Sequence, residues 1–209
     1  MLFRSANRLI SKRMMNDFPT EAGWNVSVTF SPDRKSVVFG DGEGKIRVWN
    51  VETGEQNGGP LEGHISSITC LSFSSDGKYL ASGLRDGIII IWGMDERRVK
   101  TGPLRVHTRE VTAVSFSPCG TKLASSSWDK TILVWNVPTG EVLREIICES
   151  TVCSVTYSPN GLFILAGGRY WMSMWNVDDD TAEPKEFQVG GHGDFMQVSF
   201  SLEIGRAHV

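Results

Sequence analysis

The chain has 209 residues, with 21 lysines and arginines, 24 aspartates and glutamates, and a formal net charge of −3. Four of its bases lie in the first sixteen residues, which contain no acid, so the remainder of the chain carries −7. This remainder lacks the basic footprint of a nucleic-acid-binding protein, and no apolar run reaches the roughly 18 residues of a membrane span. We therefore expect neither nucleic acid nor membrane as a partner.

The four cysteines show neither paired zinc spacing nor a disulfide framework; they are Cys70, Cys119, Cys148 and Cys153. Free thiols indicate a reducing compartment, so we expect a cytoplasmic protein, with the nucleus as an alternative. We expect no bound metal and no cofactor.

Residues 1–20 form a basic segment with a helical pattern, which Pro19 would end. Apolar and basic side chains occupy separate helical stripes, with Leu2, Ala6, Leu9, Ile10 and Met14 on one and Arg4, Arg8 and Lys12 on the other. The acid-free, arginine-bearing pattern also resembles a mitochondrial presequence. We expect a short helix that packs on the following domain or belongs to a preceding one, and mitochondrial targeting by residues 1–16 is the less favoured alternative.

After this segment, two landmarks recur with a common period. Four tryptophans that each end a short apolar run stand 43, 43 and 40 residues apart, namely Trp49, Trp92, Trp135 and Trp175. About nineteen residues before each of them, an aromatic residue is followed by serine, at Phe30, Phe73, Phe116 and Tyr157. A fifth such pair begins at Phe200. A period of 40 to 45 residues indicates repeats.

Each repeat predicts a small antiparallel sheet. In the second repeat, alternation and turn residues place strands at about 68–73, 79–83, 88–92 and 99–104. The continuous aliphatic run 88–91 is typical of a strand that is covered on both faces. Because one such sheet cannot bury both faces alone, we expect the repeats to stack on one another around an axis.

The pattern resembles the WD-repeat family. The residues that carry the resemblance are the Gly63-His64 pair, the Phe-Ser-x-Asp-Gly turn, the Leu-Ala-Ser runs at 80–82 and 123–125, the turn residues Asp86 and Asp129, and the Ile-x-x-x-Trp strand ends. The Trp-Asp pair of the family appears here as Trp-Asn three times and as Trp92-Gly93 once. The resemblance implies an all-β propeller of about four four-stranded blades over residues 21–202, as a fragment of a seven-bladed propeller with exposed blade edges.

The blade boundaries that we predict are 21–61, 62–104, 105–147 and 148–189, followed by an incomplete strand at 192–202. Residues 203–209 show no propeller pattern. The codons GAG ATC GGA AGA GCA CAC GTC would encode them, and all but the first base match the start of a common sequencing adapter. We therefore expect residues 203–209 to be a non-native tail.

Two sets of side chains have the residue types of a hydrolase triad: His64, Ser82 and Asp86, and again His107, Ser125 and Asp129. An active site needs one such set in one cleft, so the repetition argues against catalysis. The resemblance instead assigns them, with Trp92 and Trp135, to structural tetrads in which Asp accepts from His, His reaches Ser, and Ser bonds the indole. The first and fourth repeats lack the full set, with Glu43 in place of Asp and Cys148 in place of His.

The resemblance also implies that the residue before the turn aspartate faces a partner. Those positions are Arg85 and Trp128, and neighbouring loops add Arg109, Arg169, Tyr170 and Trp171. Arginine, tryptophan and tyrosine are enriched in interface hot spots. The alternative is that some of these rings cap a sheet or pack between blades.

We therefore expect a non-enzymatic scaffold that binds other proteins through its loop face. The alternative is the C-terminal sensor or regulatory propeller of a larger multidomain protein, such as a nucleotide-binding oligomerising NTPase. Sequence upstream of residue 1 with a phosphate-loop lysine would favour that alternative.

Overall fold

A computed structural model of the protein describes residues 27–188, 197–200 and 207–208. The predicted helix at residues 1–20 lies outside the described residues, as does most of the predicted tail. The described residues form β-strands and turns, and none of them belongs to a helix that would be long and apolar enough to cross a membrane.

The strands fall into five groups that follow the predicted repeats. The first blade contains β1 (Ser27–Phe30), β2 (Ser36–Gly40) and β3 (Ile46–Asn50). The second contains β4 (Ile68–Phe73), β5 (Tyr79–Leu84), β6 (Ile88–Gly93) and β7 (Arg98–Arg105). The third contains β8 (Val111–Phe116), β9 (Lys122–Ser127), β10 (Thr131–Asn136) and β11 (Val142–Ile147). The fourth contains β12 (Ser154–Tyr157), β13 (Phe163–Gly168), β14 (Trp171–Asn176) and β15 (Lys185–Gln188), and the last group contains β16 (Ser199–Phe200) and β17 (Ala207–His208).

Within each blade, the strands pair antiparallel with their neighbours in chain order. The second, third and fourth blades have the predicted four strands, whereas the first has three. Its outer segment attaches through two isolated bridges, Trp49 to Gln56 and Ile46 to Leu61. The sequence Gly58-Gly59-Pro60 lies between these bridges and prevents a continuous ladder of backbone hydrogen bonds. Glycine weakens a strand, and proline has no backbone N–H to donate.

The hydrophobic core lies between consecutive blades. One cluster joins β6 to the first blade and contains Ile88 and Ile90, while the next joins β6 to the third blade and contains Ile89 and Ile91. All four side chains are buried. Alternate residues of the aliphatic run in β6 therefore pack in two different interfaces, as the sequence predicts. Burial of each isoleucine stabilises the folded state by roughly 1.5–3 kcal/mol.

Consecutive blades approach most closely where the second strand of one blade meets the first strand of the next. A Cβ atom added to Gly40 would lie 2.4 Å from Ile68 Cγ2, and one added to Gly83 would lie 2.6 Å from Val111 Cγ1. A side-chain hydrogen bond crosses the next interface, where Thr112 Oγ1 donates to the carbonyl of Val152 over 2.8 Å. The inner strands are thus fixed both by packing and by hydrogen bonds.

The beginning of a further blade packs on the fourth one. Val198 is buried with Leu165 and Met172, and its N–H lies 3.3 Å from Ser154 Oγ. Val198 and β16 lie within the segment 192–202, where the sequence predicts an incomplete strand. Within the predicted tail, residues 207–208 pair with β16.

The close approach at Gly83 gives a stability prediction. Gly83→Ala would place a methyl group 2.5 Å from Cys70 Sγ and 2.6 Å from Val111 Cγ1, so we expect it to lower the free energy of unfolding by about 1–3 kcal/mol. Gly59→Ala is the matched control, because no atom lies within 4 Å of its added Cβ. Urea denaturation of both variants measures the difference, and equal stabilities would contradict the packing argument.

Candidate functional site

The third blade contains the complete predicted tetrad. His107 Nδ1 donates to Asp129 Oδ2 over 2.9 Å, and His107 Nε2 lies 2.8 Å from Ser125 Oγ. Trp135 Nε1 donates to the same hydroxyl oxygen over 2.8 Å. A neutral imidazole that donates from Nδ1 accepts at Nε2, so the Ser125 hydroxyl donates to His107 and accepts from Trp135.

Two threonines, which the sequence reasoning missed, hold the carboxylate of this tetrad. Thr131 Oγ1 donates to Asp129 Oδ1 over 2.6 Å, and the Thr108 N–H donates to Oδ2 over 2.9 Å. Burial raises the pKa of Asp129, but the hydrogen bonds from Thr131 and Thr108 and the proximity of His107 outweigh it and leave the pKa below its ordinary value. Burial lowers the pKa of His107 more than Asp129 raises it. The pair therefore consists of a carboxylate and a neutral imidazole at neutral pH.

The second blade does not contain the predicted full tetrad. His64 Nε2 lies 2.8 Å from Ser82 Oγ, and Trp92 Nε1 donates to that oxygen over 3.0 Å, as predicted. However, His64 Nδ1 bonds the carbonyl of Gly44 in the first blade over 2.9 Å, and Asp86 instead accepts from the Ile88 N–H.

The physical reason for this difference lies two residues after the turn aspartate. The third blade has Thr131 at this position, and its hydroxyl fixes the carboxylate, whereas the second blade has Ile88, which has no hydroxyl. The assignment of Asp86 as a tetrad member was therefore wrong. A threonine two residues after the turn aspartate is the sequence feature that distinguishes the third blade, where the aspartate bonds the histidine, from the second blade, where it does not.

Both tetrad serines are inaccessible to any substrate. Ser82 and Ser125 have an exposed fraction of 0% and each is already engaged by a histidine and an indole. A nucleophile needs a cleft in which a reacting atom can approach it. In the described part of the chain, no group of three or more His, Cys, Asp or Glu side chains is arranged to hold a metal ion.

The first and fourth blades replace the tetrad in different ways. In the first, Glu43 is exposed and bonds Lys45 Nζ over 3.1 Å. In the fourth, Trp171 packs edge-on against Trp175 with a centroid distance of 6.3 Å, and its indole lies over Gly168, where an added Cβ would be 2.4 Å from Trp171 Nε1.

Trp171 therefore belongs to the packing of the fourth blade and was wrongly placed among the exposed partner-binding residues. It is half-buried, and among the described residues its indole N–H has no hydrogen-bond partner. The turn before it is one residue shorter than in the third blade, so Trp171 takes the register of Thr131 at the start of its strand.

The other predicted partner-binding residues lie at one end of the blades, on the turns between second and third strands and on the loops that enter each blade. The side chain of Arg85 is 66% exposed, Trp128 is 41% exposed and Tyr170 is 52% exposed. Arg109 and Arg169 are also exposed. We call this surface the loop face, defined by Arg85, Arg109, Trp128, Arg169 and Tyr170.

The loop face is held by contacts between neighbouring segments. The Trp128 N–H donates to the carbonyl of Glu110 over 3.1 Å, and Arg85 Nε lies 3.9 Å from Glu110 Oε2, so one residue touches both turns. The guanidinium of Arg169 lies 5.3 Å from the centroid of the Tyr170 ring. Glu110 was not identified from the sequence, because its position before an inner strand carries no distinctive pattern.

The stacked antiparallel sheets and their repeated hydrogen-bonded sets define a β-propeller repeat protein. Residues 17–50, 56–93, 97–136 and 140–176 each match the model of the family described as "WD domain, G-beta repeat". The chain therefore belongs to this family, and the predicted family and fold are confirmed. Every matched segment ends one residue after a tryptophan of the period.

A chain in the crystal structure of the Mitotic Checkpoint Complex has a similar fold, with a TM-score of 0.75 and 22% sequence identity. The similarity covers 85% of this protein and 54% of the solved chain, so the protein spans about half the length of that chain. No curated protein matches the sequence.

The unequal tetrads give a second stability prediction. Asp129→Ala leaves buried donors from Thr131 and His107 without an acceptor, so we expect a loss of about 1–3 kcal/mol in the free energy of unfolding. Asp86→Ala and Glu43→Ala remove exposed carboxylates and should each change it by less than about 0.5 kcal/mol. Denaturant unfolding of the three variants tests this, and a loss for Asp86→Ala as large as that for Asp129→Ala would refute the assignment.

The buried histidines predict a dependence of stability on pH. Burial lowers the pKa of both His64 and His107 in the folded protein from the ordinary value of 6.5. The unfolded chain therefore binds more protons below about pH 6.5, and the free energy of unfolding should fall as the pH is lowered from about 7.5 to 5.5.

Urea unfolding at several pH values in that window measures the slope. The double variant His64→Gln, His107→Gln is the control and should show a smaller slope, whatever its absolute stability. An unchanged slope in the double variant would mean that other groups cause the pH dependence.

Proposed function

We propose that the protein is a non-enzymatic platform that binds other proteins through its loop face. The observation that carries the proposal is Trp128, a large aromatic side chain that is 41% exposed on a turn held by hydrogen bonds. Exposed aromatic and arginine side chains on a rigid support are typical of interface hot spots, because little conformational entropy is lost when they bind. The two inaccessible serines support a function without catalysis.

The charge distribution of the loop face favours a protein partner over a polyanion. Arg85 is followed in the same turn by the exposed Asp86, and its Nε lies 3.9 Å from Glu110 Oε2. A mixed surface of this kind has no continuous positive stripe for a phosphate backbone. The similar solved chain belongs to a protein assembly, the Mitotic Checkpoint Complex, which supports proteins as the class of partner. We also propose a cytoplasmic location, since all four cysteines are free thiols.

The loop face is tested by the double variant Arg85→Ala, Trp128→Ala, which we expect to remove partners while the fold is kept. Lys78→Ala, Leu162→Ala is the matched control: the Lys78 side chain is 66% exposed, like that of Arg85, and Leu162 is an exposed apolar residue on a turn at the opposite end of the blades. Circular dichroism verifies the fold of both variants.

Quantitative affinity purification then compares the wild type with both variants. Proteins that are retained by the wild type and the control, and lost from the loop-face variant, support the proposal. An identical set of partners for all three proteins contradicts it.

A further inference from the structure

The turn between β8 and β9 contains Cys119, which alone of the four cysteines is exposed. Cys119 Sγ lies 3.4 Å from Ser117 Oγ and 3.0 Å from Thr121 Oγ1. Hydrogen bonds from Ser117 and Thr121 lower the pKa of the Cys119 thiol to about 7. Roughly half of this side chain is therefore thiolate at neutral pH, and the thiolate is the nucleophilic form of cysteine.

The other three cysteines are protonated at neutral pH. Burial raises the pKa of Cys70 to about 12 and that of Cys148 to about 11, and it also raises the pKa of Cys153. Buried cysteines of this kind are inert. A thiol-directed reagent therefore has one favoured target in the chain.

The corresponding turns of the other blades have an oxygen acceptor at the position of Cys119. These acceptors are the Oδ1 atoms of Asp33, Asp76 and Asn160, which lie 2.6, 2.7 and 2.7 Å from the hydroxyl of a serine two residues earlier. The backbone N–H two residues later donates to the same oxygen over 3.0 or 3.1 Å. The serine hydroxyl is the main cause of the lowered pKa of Asp33 and Asp76. The turn thus stabilises negative charge on the atom that stands there.

A second departure from the repeat lies in the neighbouring blade. Tyr157 stands where the other copies of the repeat have phenylalanine, at Phe30, Phe73, Phe116 and Phe200. Tyr157 is 6% exposed and belongs to the core cluster between the third and fourth blades. Its hydroxyl is buried and has no hydrogen-bond partner among the described residues. Because a buried donor without an acceptor destabilises the folded state, this hydroxyl indicates an acceptor that the unmodified residues do not supply.

The Tyr157 hydroxyl lies at the Cys119 end of this interface. The Tyr157 N–H donates to Ser115 Oγ, at the end of β8, over 3.2 Å. A Cβ atom added to Gly161 would lie 3.3 Å from Pro118 Cδ, so the turns that follow the two strands are in contact. Burial raises the pKa of Tyr157 and the charge of Cys119 raises it further, so the two side chains are close enough to interact.

We propose that Cys119 is a site of oxidation by hydroperoxides, and that the sulfenic acid formed there accepts a hydrogen bond from the Tyr157 hydroxyl. With hydrogen peroxide, the thiolate sulfur attacks one peroxide oxygen, the S–O bond forms and the O–O bond breaks. Hydroxide leaves and is protonated by solvent. Sulfur loses two electrons and the peroxide gains them. The new oxygen supplies the acceptor that Tyr157 lacks. The site lies at the end of the blades opposite the loop face and does not depend on the proposed function.

Trapping of the sulfenic acid tests the site. The full chain is treated with a small excess of hydrogen peroxide at pH 7 in the presence of dimedone, and the label on each cysteine is measured by mass spectrometry. We expect at least about tenfold more label on Cys119 than on any other cysteine, because the thiolate fraction controls the rate. Equal labelling of the four cysteines, or no label on Cys119, would overturn the proposal.

The hydroxyl donor of the turn is tested by Thr121→Val. This variant loses the shorter of the two contacts to the sulfur, so we expect labelling of Cys119 at pH 7 to be about three- to tenfold slower. Thr139→Val is the matched control, since Thr139 is an exposed threonine on another turn of the same blade and bonds Glu141. It should react as the wild type does, and a wild-type rate in Thr121→Val would contradict the role of the turn.

Tyr157→Phe tests the acceptor. The variant restores the phenylalanine of the other repeats, so the fold should be kept, as circular dichroism can verify. After peroxide is removed, dimedone is added at increasing delays to measure the lifetime of the sulfenic acid. We expect a lifetime at least about threefold shorter than in the wild type, because the hydrogen bond to the new oxygen is lost.

Tyr170→Phe removes an exposed hydroxyl at the opposite end of the blades and is the control for that measurement. Its sulfenic acid should last as long as that of the wild type. An unchanged lifetime in Tyr157→Phe, or an equal loss in both tyrosine variants, would overturn the proposal and leave the loop-face test unaffected. A shorter lifetime confined to Tyr157→Phe supports it.

Discussion

The contact between consecutive blades is the interaction on which the rest of the structure depends. Each sheet has two apolar faces, and the isoleucines of β6 show how both are used, because Ile88 and Ile90 pack towards the first blade while Ile89 and Ile91 pack towards the third. A single sheet of this size would leave both faces in water. The close approach at Gly83 follows from the same requirement, since any side chain there would separate two inner strands.

The hydrogen-bonded sets of the second and third blades connect buried strands with other parts of the structure. In the third blade, the chain from Trp135 through Ser125 and His107 to Asp129 connects a buried strand with an exposed turn, and Trp128 is the residue next to its last member. In the second blade, His64 bonds the Gly44 carbonyl, so the same residue type connects two blades and leaves the turn of Arg85 outside the network. Trp128 is therefore adjacent to the network, whereas the turn of Arg85 is held by the Arg85 N–H, which donates to the Ser67 carbonyl over 3.0 Å, and by the contact of its side chain with Glu110.

Much of this architecture follows from the sequence, because strand positions depend on alternation and turn residues that recur with the tryptophan period. The partner of His64 does not follow in this way. Two acceptors compete for His64 Nδ1: the carboxylate of Asp86 in the same blade and the carbonyl of Gly44 in the preceding blade. A sequence pattern within one repeat contains no information about a carbonyl in the preceding blade. Trp171 is a different case. It stands four residues before Trp175, as Thr131 stands before Trp135, and this count indicates an inward register that the exposed-turn interpretation overlooked.

The fourth blade shows that the buried hydrogen-bonded set can be exchanged for aromatic packing. Ala166 stands in register with Ser125, and the indole of Trp171 packs against Trp175, so apolar burial replaces the polar network. The exchange changes the surface as well as the interior, because Tyr170 remains exposed beside Trp171 and both line the same cavity of about 810 Å³.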